Sequence, residues 1–226
     1  ESGASVTFHY RMLIHNGSVL NAEDISQFSL VDTKYKNYFD GSDLSQWEIK
    51  TRRGEAEGVV VNEIDNADNI WWSVEDNLLK VKNGPDEKGS TLWTKDSFDN
   101  FRVRLEFKFI SGNIDSGVFM RGSDQLNPQI QIGVSGSLKR DMTCSPYVPK
   151  KGYPQEATKV KSLLKMDDWN NMVAEAIGNR YRVWLNGEHV MDYILEDANL
   201  KGPVGIQLHS NRQMEIWYKS IDIASF

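Results

Sequence analysis

The sequence predicts an all-β protein, a jelly-roll sandwich of two antiparallel sheets, and three observations carry this prediction. Apolar and charged residues alternate without a break along residues 101–109, FRVRLEFKF, which is the period-2 pattern of a half-buried strand. Short apolar runs of the same kind recur along the chain and are separated by turn pairs such as Asn186–Gly187 and Gly202–Pro203. No segment carries a convincing long helical repeat.

The composition narrows the classes of function. The chain has 226 residues, a formal net charge of −6 and no dense block of lysine and arginine, which argues against a general nucleic-acid-binding protein. The single cysteine, Cys144, excludes an internal disulfide, and no apolar run is long enough to span a membrane. The first residue is Glu1 rather than methionine, as expected if a signal peptide has been removed or the chain has been trimmed. Aromatic residues make up 11% of the chain, which suits β-sheet cores and sugar-binding surfaces.

One main domain with an N-terminal extension is predicted, because no linker separates two domains. Residues 1–37 form an extension that packs on the main domain of residues 38–226, and the turn pair Asn16–Gly17 within alternating residues predicts a strand or hairpin there. Residues 62–69, NEIDNADN, crowd acidic and amide side chains together. This segment is interpreted either as a solvated turn or as a calcium-binding loop, although its spacing is not that of an EF-hand loop.

Residues 100–122 are predicted to form the central hairpin of the sandwich. The first strand leads through the turn Ser111–Gly112–Asn113 into a second strand at residues 117–121, which ends in Arg121. We expect the apolar side of this hairpin to fill the core and its polar side to be the working surface. Residues 129–134 form a further strand, and the aperiodic loop at 135–165 is a candidate functional loop.

The polar residues that oppose apolar ones on these strands predict one shared outer face. Such a face suits a carbohydrate, because amide and guanidinium groups bridge neighbouring hydroxyls while aromatic rings stack on sugar rings. The alternative is an ordinary solvated sheet face, on which Arg121 simply pairs with Glu106 across strands. The predicted face consists of Arg104, Glu106, Arg121, Gln129, Gln131, Gln207 and His209, with Phe119 and Trp184 beside them.

Several other kinds of site have no support in the sequence. There is no G-x-S-x-G motif for a serine nucleophile and no glycine-rich phosphate loop. Cysteine and histidine residues are not clustered with the spacing of a metal site.

An ordered set of short segments resembles the 3-keto-disaccharide hydrolase domain family, which is common in Bacteroidetes. The resemblance covers residues 39–226, and it implies a concanavalin-like jelly roll that acts on 3-keto-glycosides in the periplasm or outside the cell. The segments include FDGSDLSQW (39–47), SVEDNLLKV (73–81), FRVRLEFKF with SGVFMRG (101–122), VWLNG (183–187) and GPVGIQLH (202–209).

The chemistry that the resemblance implies needs a base, a donor for an enolate oxygen and an acid. A 3-keto group acidifies the proton on C2, and its removal gives an enolate that expels the substituent on C1. The resemblance implies that Arg121 binds the ketone or enolate oxygen. It also implies that His209 is the leading acid–base residue and that Glu106 is a further catalytic residue. A divalent cation is a further way to polarise the ketone, but the sequence contains no clear set of ligands for one. The predicted substrate-binding residues are Gln129, Gln131, Gln207, Arg104, Tyr147 and Trp184.

One departure from the family pattern opens a second hypothesis. Gln129 stands where the family usually has glutamate, so an amide replaces a carboxylate that could serve as base or ligand. A carbohydrate-binding module without catalysis on the same fold is therefore the alternative to a glycoside-cleaving enzyme. A surface interaction domain with no sugar ligand is the third hypothesis.

Overall fold

The computed structural model describes residues 34–51, 72–84, 87–122 and 127–226. From Tyr35 onward these residues belong to one compact unit. The strand or hairpin expected before residue 34 and the acidic segment at residues 62–69 lie outside the described residues. The division of the chain at residue 37 stays a prediction.

Within the described residues, the chain forms fourteen strands and one short helix. No helix in this part of the protein is long and apolar enough to cross a membrane. The elements are β1 (Lys36–Phe39), β2 (Trp47–Thr51), β3 (Trp72–Glu75), β4 (Leu78–Lys82), β5 (Ser90–Thr94), β6 (Phe101–Gly112), β7 (Asp115–Phe119), β8 (Gln129–Gly133), β9 (Pro146–Tyr147), α1 (Val160–Leu163), β10 (Asn170–Ile177), β11 (Arg180–Leu185), β12 (Glu188–Ile194), β13 (Gly205–Leu208) and β14 (Met214–Ser225).

The strands form two antiparallel sheets, which confirms the predicted sandwich. The eight-stranded sheet has the order β12-β11-β10-β6-β14-β4-β3, with β1 paired to β14. The six-stranded sheet has the order β2-β5-β13-β7-β8-β9. Neighbouring strands in both sheets run antiparallel, as in jelly-roll folds.

The core lies between the two sheets and is built from the apolar residues that the alternation predicts. On β6, Phe101, Val103, Leu105 and Phe107 are all fully buried. Burial of one such side chain contributes about 1.5–3 kcal/mol relative to leaving it in water. The six-stranded sheet contributes Val118, Ile130, Ile132, Ile206 and Leu208.

The prediction of a central hairpin is wrong, because β6 and β7 lie in different sheets. Strand β6 pairs with β10 and β14, whereas β7 pairs with β13 and β8. The connection at Ser111–Gly112–Asn113 therefore carries the chain from one sheet to the other. Gly112 has a φ of +79° and lies against the carbonyl of Gln213, where a Cβ atom has no room. The outward side chains of β6 and β7 consequently face opposite sides of the sandwich.

The turn between β11 and β12 forms as the sequence predicts. Asn186 and Gly187 have φ values of 50° and 91°, so both adopt the left-handed conformation that a type I′ turn requires. This hairpin closes the edge of the eight-stranded sheet.

Candidate functional site

A polar cavity of about 370 Å³ opens on the outward face of the six-stranded sheet. Five residues of the predicted site line it, and they are joined by an aspartate, a second tyrosine and an arginine that the sequence analysis did not include. The predicted residues in the cavity are Gln129, Gln131, Tyr147, Gln207 and His209, and the additional ones include Asp115, Tyr153 and Arg212.

The register of three neighbouring strands brings the glutamines together. Gly117 on β7 lies opposite Gln131 on β8 and opposite Gln207 on β13. A Cβ atom on Gly117 would overlap the amide group of Gln129, so the glycine leaves room for that side chain to cross β7. The Gln129 amide nitrogen donates to Oε1 of Gln207 at 2.7 Å and to the carbonyl of Ser116 at 3.3 Å. The three glutamine amides thus form a layer at the floor of the cavity, in which those of Gln129 and Gln207 are hydrogen-bonded to each other.

Asp115 connects several polar side chains of the cavity. Its Oδ1 accepts a hydrogen bond from Nε2 of Gln131 at 2.9 Å. Its Oδ2 lies 3.1 Å from Nη2 and 3.3 Å from Nε of Arg212. The carboxylate is buried, and a buried carboxylate is stable when such charged and polar donors surround it. A side chain at Gly136 would contact this aspartate–arginine pair, so the glycine keeps the cavity wall open there.

His209 is held in one tautomer by its neighbour in the chain. Its Nδ1 lies 2.6 Å from the carbonyl oxygen of Ser210. Because a carbonyl oxygen only accepts, Nδ1 carries the hydrogen, and in the neutral ring the lone pair is on Nε2. Nε2 lies 3.9 Å from Oδ2 of Asp115. This arrangement can accept a proton at Nε2 and place the resulting positive charge beside a carboxylate.

Two tyrosines from the long loop complete the wall of the cavity. The hydroxyl of Tyr153 donates to Oε1 of Gln131 at 3.0 Å, and its ring lies against that of Tyr147 with centroids 5.3 Å apart. Burial raises the pKa of Tyr153 to about 12. The hydroxyl therefore stays protonated at neutral pH. The loop was predicted to carry functional residues, but its sequence gave no period from which Tyr153 could be singled out.

Arg104 and Glu106 do not reach this cavity, so the prediction of one shared polar face is wrong. Both lie on β6, in the eight-stranded sheet, and face the opposite side of the sandwich. Arg104 binds Asp222 at 2.8 Å, and Glu106 lies 3.9 Å from Nζ of Lys219. The alternation placed these residues correctly outward, but on the outside of the other sheet.

Arg121 is inside the protein, which contradicts its assignment to an enolate oxygen. Its guanidinium donates to the carbonyls of Asp99 and Gly178, each at 2.7 Å, and to the hydroxyl of Tyr181 at 3.3 Å. The residue is only 1% exposed, so no ligand in the cavity can contact it. Its φ of 69° turns the chain away from the strand direction at the end of β7. Arg121 therefore links the segment before β6 to the turn after β10.

Trp184 is also buried and belongs to the eight-stranded sheet, where its ring packs on His189 with centroids 5.2 Å apart. It does not form a wall of the polar cavity. Phe119, in contrast, lies on the six-stranded sheet opposite Gln129 and stacks on Trp93, with ring centroids 5.2 Å apart. The aromatic pair therefore borders the glutamine layer without lining the cavity.

Among the described residues, no group of three or more histidine, cysteine, aspartate and glutamate side chains is placed to hold a metal ion. In the polar cavity, the side chains of this type are Asp115 and His209. A cation bound there would need further oxygen ligands from the glutamines or from the substrate.

A second cavity of about 1300 Å³ lies between the β6–β7 connection and α1. Apolar side chains such as Ile114, Met142 and Leu164 contribute much of its lining, and it contains none of the predicted site residues. Apolar walls offer few directional partners for sugar hydroxyls. The smaller polar cavity is therefore the candidate site.

Solved structures with a similar fold were found by comparison. A candidate glycosyl hydrolase from Parabacteroides distasonis ATCC 8503 matches with a TM-score of 0.58 and 21% identity, over 85% of this chain and 100% of that chain. A second candidate glycosyl hydrolase from the same strain has a TM-score of 0.58 and 17% identity, over 92% and 98% of the two chains. The exoplasmic/lumenal domain of VIP36, in a form bound to Ca²⁺ and Man3GlcNAc, has a TM-score of 0.59 and 8% identity, over 85% and 90%. At these identities the likeness concerns the fold alone.

Sequence comparison assigns the family. No curated protein sequence matches the chain. The model of the 3-keto-alpha-glucoside-1,2-lyase-like domain matches residues 34–224, which confirms the resemblance seen in the sequence. The chain therefore belongs to the 3-keto-alpha-glucoside-1,2-lyase-like domain family.

Proposed function

We propose that the protein is an enzyme that cleaves 3-keto-glycosides by removing the proton on C2 and eliminating the substituent on C1. Membership of the family supports this class of reaction. The observation that carries the proposal is the geometry of His209, whose Nδ1 is bonded to the carbonyl of Ser210 inside a polar cavity. In that tautomer the neutral imidazole has its lone pair on Nε2, which is the atom that a general base needs.

In the first step, Nε2 of His209 takes the proton from C2. The electron pair of the C–H bond forms a double bond between C2 and C3, and negative charge moves to the oxygen on C3. The imidazolium is stabilised by Asp115, whose Oδ2 lies 3.9 Å from Nε2. Arg212, which binds the same carboxylate, adds positive charge beside the enolate.

In the second step, the enolate expels the leaving group. The carbonyl on C3 forms again, a double bond forms between C1 and C2, and the bond from C1 to the leaving oxygen breaks. The leaving oxygen needs a proton, and the Tyr153 hydroxyl in the wall of the cavity supplies it; the proton held by His209 then restores the hydroxyl before the next turnover. Addition of water across the new double bond then yields the free 3-keto sugar.

A carbohydrate-binding module without catalysis is the second candidate function. Its support is the composition of the cavity, where Gln129, Gln131 and Gln207 provide amides. Asp115, the carboxylate among the lining residues, is engaged by Gln131 and Arg212 and so is poorly suited to act as a base itself. This second function needs the same cavity but no proton transfer.

Turnover of a p-nitrophenyl 3-keto-glucoside, tested as both anomers, distinguishes these functions. We expect release of p-nitrophenol by the wild-type protein, together with exchange of the C2 proton for deuterium in D2O. His209→Gln should lower kcat/KM by about 10²–10⁴-fold, because the general base is lost.

Glu106→Gln is the matched control, since Glu106 lies on the other sheet, and its turnover should equal that of the wild type. Sugar binding without turnover by the wild type would favour the binding module. Equal turnover by the wild type and His209→Gln would refute the assignment of the base.

A further inference from the structure

One backbone carbonyl determines which amide atoms at the cavity floor are donors and which are acceptors. An amide oxygen and an amide nitrogen are alike in shape, so the orientation of a glutamine follows from its partners. The carbonyl of Ser116 can only accept, and it lies 3.3 Å from the Gln129 amide. The nitrogen of Gln129 must therefore face Ser116. The same nitrogen donates to Gln207 at 2.7 Å, which in turn identifies the contacting atom of Gln207 as its oxygen.

This chain of partners leaves one acceptor and one donor for a ligand. In the described part of the chain, Oε1 of Gln129 and Nε2 of Gln207 make no hydrogen bond, and neither atom is fully buried. Both residues line the cavity. The floor thus presents an acceptor and a donor on two amide groups that are held together by a 2.7 Å hydrogen bond.

We propose that Gln129 and Gln207 form a recognition pair for a carbonyl group next to a hydroxyl group, the α-hydroxyketone unit of a keto sugar. The ketone oxygen only accepts, so it binds Nε2 of Gln207. The neighbouring hydroxyl donates to Oε1 of Gln129. This inference rests on the proposed function, and it names the part of the substrate that the floor recognises and the residue that contacts the ketone oxygen.

The pair exists because β7 has a glycine between its two members. Gln129 is on β8 and Gln207 is on β13, with β7 between them. The amide of Gln129 crosses β7 above Gly117, where any Cβ atom would overlap it. Gly117 does not have a positive φ, so alanine fits the backbone there, and the atoms nearest to its Cβ are those of the Gln129 side chain.

The test compares binding of 3-keto-glucose with binding of glucose by calorimetry, in the wild type and in Gln207→Glu. A carboxylate at position 207 can accept from Gln129 but has no donor for a ketone, whereas a hydroxyl of glucose can donate to it. A ligand acceptor left without its donor costs about 1–3 kcal/mol, so we expect the preference for the keto sugar to fall by about 5- to 150-fold.

Two further variants test the polarity by different means. In Gln129→Glu the carboxylate accepts from Gln207, so Gln207 turns its nitrogen away from the cavity and its oxygen toward the ligand. Gly117→Ala displaces the Gln129 amide without changing any polar group. Both should lower the preference for the keto sugar, while Gln46→Glu, an identical change outside the cavity, should leave it as in the wild type.

Circular dichroism confirms that each variant is folded before binding is compared. A wild type that prefers 3-keto-glucose, with that preference reduced in the three cavity variants, supports the proposal. A preference that persists in Gln207→Glu and Gln129→Glu overturns the recognition pair and leaves the proposed function standing. A wild type that binds neither sugar overturns both.

Discussion

The outward faces of the two sheets show the same alternation of polar and apolar residues, but they hold their polar groups in different ways. On the eight-stranded sheet, Glu175 lies between Arg102 and Arg182 and accepts hydrogen bonds from both. Arg104 and Asp222 form a second pair on this sheet, 2.8 Å apart. Here neighbouring strands place opposite charges side by side, and the charges stabilise one another.

On the six-stranded sheet, the polar groups are mainly amides arranged around a glycine. Gly117 has no side chain, so the Gln129 amide occupies the space above it and reaches Gln207 at the floor of the cavity. Hydrogen bonds engage only part of the amides of Gln129 and Gln207. A polar sheet face therefore becomes a candidate binding site where a missing side chain leaves polar atoms within reach of a ligand.

The largest expected effect of a substitution is on the charged face. Glu175 is 1% exposed, and Glu175→Ala would leave Arg102 and Arg182 without their shared carboxylate. Removing one partner of a buried ion pair costs about 3–5 kcal/mol. We expect a loss of that size in the free energy of unfolding, measured by urea denaturation, with no change in sugar binding by the folded protein.

Glu106→Ala is the matched control for this prediction, because Glu106 lies on the same face with a side chain that is 36% exposed. An exposed substitution of this kind changes stability by about 0.5 kcal/mol or less. Similar losses in the two variants would show that burial of the ion pair is not what stabilises this face.

On the cavity face, a smaller effect is expected from the pH dependence of Tyr153. Burial raises its pKa from 10.0 to about 12. A raised pKa favours folding below pH 10, and this contribution is lost as the pH rises toward 12. Relative to Tyr153→Phe, the wild type should lose about 1 kcal/mol of stability over this interval. This loss is smaller than the whole pKa shift would give, because the tyrosine is partly exposed to solvent.

Denaturation of the wild type and of Tyr153→Phe at several pH values between 9 and 12 measures this difference. The subtraction removes the contribution of the other tyrosines, since they are common to both proteins. A difference in stability that does not vary with pH would mean that the Tyr153 hydroxyl ionises as it does in the unfolded chain.

The sequence predicts the sandwich and much of the cavity floor because both depend on a local period. Alternation along β8 and β13 identifies Ile130 and Ile206 as core residues and turns Gln129 and Gln207 outward. The same period cannot tell which sheet a strand joins. The connection through Gly112 has the composition of a hairpin turn, yet it crosses between sheets, and this placed Arg104 and Glu106 on the wrong face.

The remaining site residues depend on contacts that are distant in sequence. Asp115 and Arg212 are 97 residues apart, and Tyr153 reaches the cavity from an aperiodic loop. Arg121 looked like a site residue because it ends an apolar strand. The carbonyls of Asp99 and Gly178 that hold it inside come from two other parts of the chain, and no local pattern indicates them.

The smallest expected effect separates the two faces most directly. Arg104 was predicted to bind substrate, but its side chain is 43% exposed and pairs with Asp222 on the eight-stranded sheet. Asp222 itself is buried, but it keeps a hydrogen bond from Nδ2 of Asn37 at 2.9 Å, so Arg104→Ala should lower the free energy of unfolding by only about 1 kcal/mol. Turnover of the 3-keto-glucoside should be unchanged, whereas Arg212→Ala, which removes the arginine from the cavity, should reduce it. A loss of turnover in Arg104→Ala would show that the charged face takes part in function after all.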